Sequence, residues 1–317
     1  MTNYRVNVLR GQDLTDLAEV SKKDQVWDEH RSTASTVEQI YQQSGDEWMQ
    51  KYGNRINKCA PWLKFDRLED KELKLRQAFF CKVRNCPVCQ WRRSMRWKAR
   101  IYQALPKIKE QYPAGRWLFL TLTVKNCYIT DLKKELEKVN NAFTRMIKRK
   151  IVNKNILGYI KSVEVTRGKN NTAHPHLHVL LLVKSTYFKG SNYLSQDAFT
   201  EQWKSALGVS YTPIVHITAV KNKKGSGSMD GVIAETLKYS VKESDMTANN
   251  YWFLEYTKQT FKTRAVSAGG VLREIIKEVS DKEMVNTELE DPEEKYKLGD
   301  FNAYWHELAQ KYRGVSK

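Results

Sequence analysis

The chain has 317 residues, and its 54 Lys and Arg residues outnumber 36 Asp and Glu residues, which gives a formal net charge of +18. A cationic surplus of this size favours a polyanionic partner, and nucleic acid is the commonest one. A membrane partner is not expected, because the longest apolar stretch, Val179–Val183, is too short to cross a bilayer. The length allows one good-sized core and a second, smaller module.

The N-terminal region, residues 1–55, is polar and mixed in charge, and we predict a loose segment with some helix around Val37–Tyr52. Its first residues, MTNYRVNVLRGQD, lack the apolar core of a secretory signal. We therefore expect a cytoplasmic protein. In that compartment clustered cysteines are more often metal ligands than disulfide partners.

Cysteines dominate the next segment, residues 56–110. Four of the five cysteines follow the spacing C-x21-C-x4-C-x2-C: Cys59, Cys81, Cys86 and Cys89. Four thiolates suit a tetrahedral structural Zn²⁺ site, which would stabilise a segment with little apolar core of its own. A redox C-x-x-C motif is the alternative interpretation, but two further cysteines lie close by in the sequence and no thioredoxin-like strand pattern precedes it. The remaining Cys127 is predicted to be a free, half-buried thiol.

A basic helix is predicted at about Gln90–Leu105, ended by Pro106 and Pro113. The tryptophans Trp91 and Trp97 lie within a run of basic residues that contains no acidic residue: Arg84, Arg92, Arg93, Arg96, Lys98 and Arg100. Basic side chains suit phosphates and tryptophan suits base stacking, so we predict that this module contacts DNA. The alternative is a solvated basic helix whose tryptophans pack inward.

Residues 111–250 alternate between strand and helix patterns. The predicted strands are Trp117–Val124, Ile156–Thr166, His176–Val183 and Ile214–Val220, and the predicted helices are Asp131–Lys150, Leu194–Leu207 and Met229–Lys242. A Gly/Ser loop, Lys224–Ser228, precedes the last helix, and the adjoining Lys221–Lys224 is a second candidate for DNA contact. The order β-α-β-β-α-β-α predicts an α+β fold, an antiparallel sheet of ferredoxin-like or RRM-like type flanked by helices.

Residues 251–317 are predicted to form a C-terminal extension. Its segment Asp281–Glu294 is acidic, and we expect it to be exposed to solvent. The segment Phe301–Tyr312 is interpreted as a short terminal helix. No internal repeat occurs in the sequence.

Three of the six histidines lie within five residues: His174, His176 and His178. Alternate residues of a strand point to the same face, so His176 and His178 project together and can chelate a divalent ion. Pro175 is expected to break the strand, which leaves His174 as a substitute ligand or a substrate contact. In a hairpin, Glu164 would pair near His176 as an oxygen ligand, whereas a register shift of one residue would turn it away. The alternative is a polar strand face with solvated histidines.

Glu235, Tyr239 and Lys242 would share one face of the predicted helix, since they lie four and three residues apart. A phenol can be a nucleophile in phosphoryl transfer, but its ordinary pKa of about 10 requires nearby positive charge or a proton acceptor. Lys242 could stabilise the phenolate, and Glu235 could act as a general base. Taken alone, this pattern is weak, because the chain has 16 tyrosines and such a helical pair is usually a solvated face.

Three motifs in combination are more specific: FLTLT at Phe119–Thr123, HPHLHVLLLV at His174–Val183 and ETLKYSVK at Glu235–Lys242. Together they resemble the plasmid rolling-circle replication initiators of the HUH endonuclease superfamily, in the single-tyrosine branch. The resemblance covers roughly residues 59–270, and TRAVSAGGVLRE at Thr263–Glu274 is similar to the later part of the family. The alternatives are an HUH transposase or relaxase and, from another class, a non-enzymatic zinc-ribbon regulator that binds DNA.

The resemblance implies a site-specific single-strand DNA endonuclease and strand transferase. His176 and His178, completed by Glu164, would hold Mg²⁺ or Mn²⁺, and Tyr239 would attack the scissile phosphate, remain on the 5′ end and leave a 3′-hydroxyl primer. Glu235 would later activate water for termination. The implied partners are plasmid origin DNA, nicked as a single strand, and a host helicase and polymerase. The cysteine arrangement is also similar to that of these initiators.

Overall fold

The computed structural model describes residues 14–69, 72–221, 227–279 and 296–316. The strands in these ranges are β1 (Thr15–Asp16), β2 (Trp62–Leu68), β3 (Leu73–Ala78), β4 (Arg116–Thr123), β5 (Cys127–Tyr128), β6 (Ile156–Arg167), β7 (Thr172–Val183), β8 (Val215–Ala219), β9 (Val266–Gly270), β10 (Lys297–His306) and β11 (Lys311–Ser316). The α-helices are α1 (Leu17–Val20), α2 (Val26–Gln42), α3 (Glu47–Asn57), α4 (Pro87–Gln111), α5 (Leu132–Lys148), α6 (Lys150–Asn153), α7 (Gln196–Leu207), α8 (Met229–Thr236), α9 (Glu243–Thr247), α10 (Asn250–Gln259) and α11 (Val271–Glu278).

The chain divides into two compact units. The first comprises Met1–Arg96 together with Lys282–Lys317, and the second comprises Trp97–Asp281. Each unit contains one antiparallel sheet flanked by helices, so the α+β prediction is confirmed, although the sequence predicted a single sheet. The C-terminal strands belong to the first unit, because they pair with its other strands.

The sheet of the first unit has the strand order β1-β11-β10-β2-β3, with every neighbouring pair antiparallel. The helix α2 lies against its inner face. There the Asp28 carboxylate accepts a hydrogen bond from the Tyr312 backbone N–H at 2.7 Å, and the Arg31 guanidinium lies 5.2 Å from the centre of the Trp305 ring. These contacts join the two ends of the chain around one core.

The predicted terminal helix at Phe301–Tyr312 is wrong, because this segment forms the hairpin of β10 and β11. Phe301, Ala303 and Trp305 are buried, while the intervening Asn302 and Tyr304 face outward. This two-residue periodicity is that of a strand with one buried face. The aromatic residues reach the core only through pairing with β2, a partner more than 200 residues away in the sequence.

Two further helix predictions require correction. The helix predicted around Val37–Tyr52 is two helices, α2 and α3, separated by a turn in which Gly45 has a φ of 74°. The helix predicted to end before Pro106 continues through this proline to Gln111. A proline removes one helical hydrogen bond, but the buried residues Ile101, Ala104 and Ile108 hold both sides of it against a common core.

The sheet of the second unit has the order β8-β4-β7-β6-β9, and β5 pairs with β7. The helix α5 covers one face, with its apolar residues buried as their spacing predicts: Leu132, Leu136, Val139, Phe143 and Ile147. On the other face, Ile160, Leu180 and Leu182 pack with residues of α4, α8 and α11. Among the described helices, we find none with the length and apolar character needed to cross a membrane.

The predicted strands of this sheet are confirmed to within a few residues, except that β7 begins at Thr172 and contains Pro175. The expected strand break at Pro175 is therefore wrong. The Val165 N–H opposite it donates to the Ser240 carbonyl at 2.8 Å, so the Val165–Pro175 pair exchanges no hydrogen bonds. At such a position the missing proline N–H removes no bond between β6 and β7.

Three sequence predictions fall wholly or partly outside the described residues. They are the exposure of the acidic segment Asp281–Glu294, the Gly/Ser loop Lys224–Ser228 and the DNA contact at Lys221–Lys224.

Lys161 is a buried lysine between β6 and α5, and it should make stability depend on pH. Its ammonium donates to the Asn140 side-chain oxygen at 2.5 Å and lies 4.8 Å from the centre of the Phe143 ring. Burial lowers the pKa of Lys161 to about 8. At pH values between about 8 and 10.5, Lys161 binds more protons in the unfolded chain than in the folded protein. Its contribution to the free energy of unfolding therefore rises with pH.

We expect Lys161→Met to raise the free energy of unfolding at pH 7 by about 1–2 kcal/mol, because a buried cation is replaced by an apolar side chain. Urea denaturation should show this difference from the unmodified protein narrowing as the pH rises from 8 to 10. The matched control is Lys148→Met at an exposed position of α5. A difference that stays constant with pH would contradict the assignment of a buried, charged Lys161.

Candidate active site

The register between β6 and β7 places the histidines and the predicted carboxylate on one sheet face. Glu164 pairs with His176, and Ser162 pairs with His178. The same face of β4 carries Thr121 and Thr123 opposite these histidines. Glu164 therefore faces the same side as the histidines, as the hairpin argument predicts, and the register shift that would turn it away does not occur.

A compact cluster of potential metal ligands lies on this face. Glu164, His178 and Glu235 offer ligand atoms that all lie within 4.8 Å of one another. The His178 Nε2 lies 2.8 Å from the Glu164 Oε2, and the Lys238 ammonium lies 2.8 Å from the same oxygen. Lys238 also lies 2.5 Å from the Glu235 Oε1. Two carboxylates and an imidazole are a donor set that Mg²⁺ or Mn²⁺ accepts.

Glu164 and Lys238 each stabilise the charged form of the other. Burial alone would raise the pKa of Glu164, but hydrogen bonds from His178 and Lys238 lower it to about 2. For Lys238, burial would lower the pKa, but hydrogen bonds to Glu164 and Glu235 raise it above its ordinary value. The Glu164 carboxylate is thus an anion near neutral pH, buried to 3% side-chain exposure and balanced by the ammonium of Lys238.

His176 lies beside this cluster, and His174 lies beyond it. The centres of the His176 and His178 rings are 6.0 Å apart, and those of His174 and His176 are 4.5 Å apart. The His176 Nδ1 lies 2.8 Å from the His174 carbonyl oxygen, so this nitrogen carries the proton and leaves Nε2 for other partners. Burial and the neighbouring His174 lower the pKa of His176 to about 4, which keeps the imidazole neutral.

The predicted tyrosine does not lie on a helix. The helix α8 ends at Thr236 and α9 begins at Glu243, so the predicted continuous helix Met229–Lys242 is wrong. The reason is a tertiary contact: the Ser240 carbonyl accepts the hydrogen bond from Val165 of β6. Tyr239 is thereby half-buried in a non-helical segment, and Lys242 is exposed at the start of α9.

The backbone of Tyr239 is nevertheless held beside the cluster from both sides. The preceding residue, Lys238, contacts Glu164, and the following residue, Ser240, bonds to the strand position next to Glu164. Leu237 and Val241 are buried and anchor the segment. Sequence reasoning selected Lys242 and missed Lys238, although a lysine three residues after Glu235 is the spacing of a helical ion pair.

The four predicted zinc ligands come together in the first unit. All four cysteines are buried and unbridged, with their sulfur atoms within 4.8 Å of one another: Cys59, Cys81, Cys86 and Cys89. The sulfur–sulfur distances are 3.6 Å for Cys59–Cys89, 3.5 Å for Cys81–Cys89 and 3.6 Å for Cys86–Cys59. A tetrahedron with zinc–sulfur bonds of about 2.3 Å has edges of about 3.8 Å, so this arrangement fits Zn²⁺.

Local backbone geometry aims these sulfurs inward. Ala60 and Lys82, which directly follow Cys59 and Cys81, have φ values of 46° and 57°. Cys86 precedes α4, and Cys89 lies in its first turn. Hydrogen bonds from the other three sulfurs hold the pKa of Cys89 below its ordinary range, whereas burial raises that of the Cys86 thiol. The fifth cysteine, Cys127, is free and half-buried, as predicted.

Lys82, directly after Cys81, has a left-handed backbone conformation, and replacing it tests this geometry. Lys82 is exposed, so Lys82→Gly removes no buried contact and relieves backbone strain. We expect it to raise the free energy of unfolding by about 0.5–1 kcal/mol, as measured by thermal denaturation. The control, Lys58→Gly, should destabilise the protein, because Lys58 has a φ of −87° that needs no glycine. The prediction fails if both variants shift stability in the same direction.

The basic residues predicted to contact DNA are all buried or half-buried: Arg84, Arg92, Arg93, Arg96, Lys98 and Arg100. Arg92 is only 3% exposed, with its guanidinium 5.1 Å from the centres of the Trp27 and Trp91 rings. Arg93 donates to the carbonyls of Val83 and Arg84. Arg100 donates to the Ile276 carbonyl at 3.1 Å. Trp91 packs inward, and much of this basic run stabilises the protein itself.

Comparisons with known proteins show which family the chain resembles. The sequence model of a family described as "Replication protein" matches residues 72–314. The chain is 35% identical over 298 residues to "Protein rep" of Streptococcus pneumoniae serotype 2 (strain D39 / NCTC 7466), a match that covers 92% of each chain. It is 40% identical over 237 residues to "Protein rep" of Lentilactobacillus hilgardii, which covers 72% of this chain and 76% of the relative. No solved structure matches the chain significantly. The chain therefore belongs to the Replication protein family.

Proposed function

We propose that the protein initiates rolling-circle replication of a plasmid by nicking one strand of the origin DNA in the manner of an HUH endonuclease. The observation that carries this proposal is the placement of Tyr239 between two residues that contact β6. Lys238 reaches the Glu164 carboxylate at 2.8 Å, and the Ser240 carbonyl binds Val165 at 2.8 Å. These two contacts hold the backbone of Tyr239 near the potential metal-binding cluster, which supports its proposed role as the nucleophile.

The proposed reaction is a transesterification. The Tyr239 phenol oxygen attacks the scissile phosphorus, the bond from phosphorus to the 3′ oxygen breaks, and the phenol proton passes to a base or solvent. The departing 3′ oxygen takes up a proton and becomes the primer hydroxyl, while the 5′ phosphate stays joined to the tyrosine. The bond energy of the diester is retained, so a later attack by a 3′-hydroxyl can close a strand.

The residues of the cluster have distinct proposed roles. Glu164, His178 and His176 would hold a Mg²⁺ or Mn²⁺ ion, with His174 as the alternative ligand. Such an ion, when bound, would polarise the scissile phosphate and stabilise charge in the transition state. Lys238, which contacts both Glu164 and Glu235, ties the segment that carries Tyr239 to the cluster. The exposed Lys242 would bind a phosphate of the DNA strand that enters the site.

A covalent adduct tests the proposal directly. Purified protein with single-stranded origin DNA and Mn²⁺ should form an adduct that survives boiling in detergent. We expect Tyr239→Phe to abolish the adduct while DNA binding stays within about twofold, because the nucleophile alone is removed. The matched control is Tyr251→Phe, at an exposed tyrosine of α10. An adduct formed by Tyr239→Phe would refute the assignment of the nucleophile.

The same assay separates this function from a non-enzymatic regulator. A regulator that binds DNA through its zinc module would bind origin DNA and form no adduct with any metal. The proposed partners are plasmid origin DNA for the nick, and a host helicase and polymerase for the replication that follows it. Adduct formation with Mn²⁺, abolished by a chelator and restored by added Mn²⁺, is the expected result.

Glu235 is proposed to act later, as a general base that activates water for release of the enzyme. Its side chain is 44% exposed, and its carboxylate belongs to the same cluster. We expect Glu235→Gln to leave adduct formation within about tenfold and to slow hydrolysis of the adduct by about 10²- to 10³-fold. Single-turnover measurements of both steps on one oligonucleotide provide the check. An equal loss in both steps would make Glu235 a metal ligand instead.

A further inference from the structure

The outer face of the first unit's sheet carries an aromatic and amide-rich patch that no predicted site includes. One row of directly opposed residues crosses four strands: Trp62 on β2, Tyr304 on β10, Arg313 on β11 and Asp16 on β1. The adjacent row on the same face contains Gln77, Lys64, Asn302 and Val315. We call Trp62, Lys64, Gln77, Asn302, Tyr304 and Arg313 the aromatic face.

The aromatic face points away from the core. Its neighbours along each strand are the buried residues of the inner face, such as Leu63, Ala303 and Tyr312. Tyr304 is 38% exposed although it lies in the middle of the sheet, and Lys64 and Gln77 are also exposed. The directly opposed rings of Trp62 and Tyr304 stabilise the sheet as a cross-strand pair, and Tyr304 also leaves ring surface open to solvent, where a flat partner can contact it.

The charge of this face suits a polyanion. The Lys64 ammonium lies 5.4 Å from the centre of the Trp62 ring, which places a cation directly beside an aromatic surface. Arg313 stands next to Tyr304 and pairs with Asp16 at 2.8 Å. Asp16 also binds Lys311 at 2.6 Å, so two cations share this one carboxylate. The other acids of this sheet face, Asp66 and Asp300, lie in a third row and are bound to Lys297.

We propose that the aromatic face binds single-stranded DNA, with bases stacked on Trp62 and Tyr304 and phosphates held by Lys64 and Arg313. Stacking on flat aromatic residues requires unpaired bases, because the bases of a duplex already stack on one another. Asn302 and Gln77 offer both donors and acceptors to base edges. This inference does not rest on the nicking mechanism, and it places a DNA contact outside the basic run between Arg84 and Arg100.

Binding of a labelled oligothymidine, followed by fluorescence anisotropy, tests this inference. The measurement uses the full chain with Tyr239→Phe and without added divalent metal, so cleavage cannot influence the result. We expect Tyr304→Ala to weaken binding by about tenfold and the pair Trp62→Ala with Tyr304→Ala by about 100-fold, as loss of stacked bases requires. Tyr304→Phe, which keeps the ring, should bind within about twofold of the parent.

The controls separate stacking from loss of structure and from general charge. Tyr251→Ala, at an exposed tyrosine of the second unit, should leave the affinity unchanged, and thermal denaturation should show that each variant is folded. Unchanged oligothymidine binding by the folded Tyr304→Ala variant would overturn the inference. The inference would also be overturned if Tyr304→Ala weakened binding of a duplex of the same length as strongly as binding of oligothymidine. The face would then recognise the backbone of paired DNA.

Discussion

Replacing Glu164 by glutamine is expected to lower the rate of Mn²⁺-dependent nicking by about 10³-fold, which corresponds to about 4 kcal/mol of transition-state stabilisation. The substitution keeps the size and hydrogen-bonding shape of the side chain but removes the buried negative charge between His178 and Lys238. A divalent cation that loses an anionic ligand is bound more weakly and positioned less firmly. The adduct assay, run over a range of Mn²⁺ concentrations, should show both a lower maximum and a higher half-saturating concentration.

Two further variants show whether the lost negative charge of Glu164 causes the slower nicking. Glu274→Gln removes an exposed carboxylate that pairs with Lys277 in the same unit, and it should leave nicking unchanged. Glu164→Asp retains the charge but shortens the side chain, so it should recover part of the activity at high Mn²⁺. If Glu164→Gln nicks at the rate of the parent protein at every Mn²⁺ concentration, the carboxylate is structural and the metal ligands lie elsewhere.

The placement of Glu164 beside the histidines was predictable because it depends on local geometry. The two-residue period of a strand puts His176 and His178 on one face, and the short polar turn fixes the hairpin register that brings Glu164 opposite His176. The clustering of the four cysteines was predictable for a similar reason, since their spacing is typical of a metal site. In both cases residue chemistry and spacing along the chain were sufficient.

The errors arose where distant segments determine the structure. The segment after Thr236 leaves the helical path because Ser240 bonds to β6, and helical periodicity gave no indication of that partner. The apolar residues of Phe301–Tyr312 fit both the helical period and the two-residue period of a strand. Pairing with β2 determines that the segment forms strands. The role of Lys238 has the same origin, since its contact with Glu164 exists only after the segment has turned towards the sheet.

Loss of one sulfur ligand from the cysteine cluster is expected to have the largest effect on stability. The cysteine cluster joins the end of α3 to the segment after β3 and the start of α4, so Cys59 is tied to three cysteines that lie well beyond it in the sequence. Binding free energies of about 10–16 kcal/mol are typical of structural zinc sites, and they exceed the net stability of most domains. The first unit should therefore lose its cooperative fold when one ligand is removed.

Cys86→Ser provides this test, with Cys127→Ser as the matched control, because Cys127 lies outside the cluster. Purified parent protein and Cys127→Ser should each contain one zinc ion per chain by atomic emission, and Cys86→Ser should contain much less. Tryptophan fluorescence of Cys86→Ser should show exposed rings, because the buried Trp27 packs against Trp91 on the helix that begins beside Cys86. A folded, zinc-free Cys86→Ser protein would show that apolar packing around Trp27 suffices, and that the sulfur cluster contributes chemistry other than metal-dependent folding.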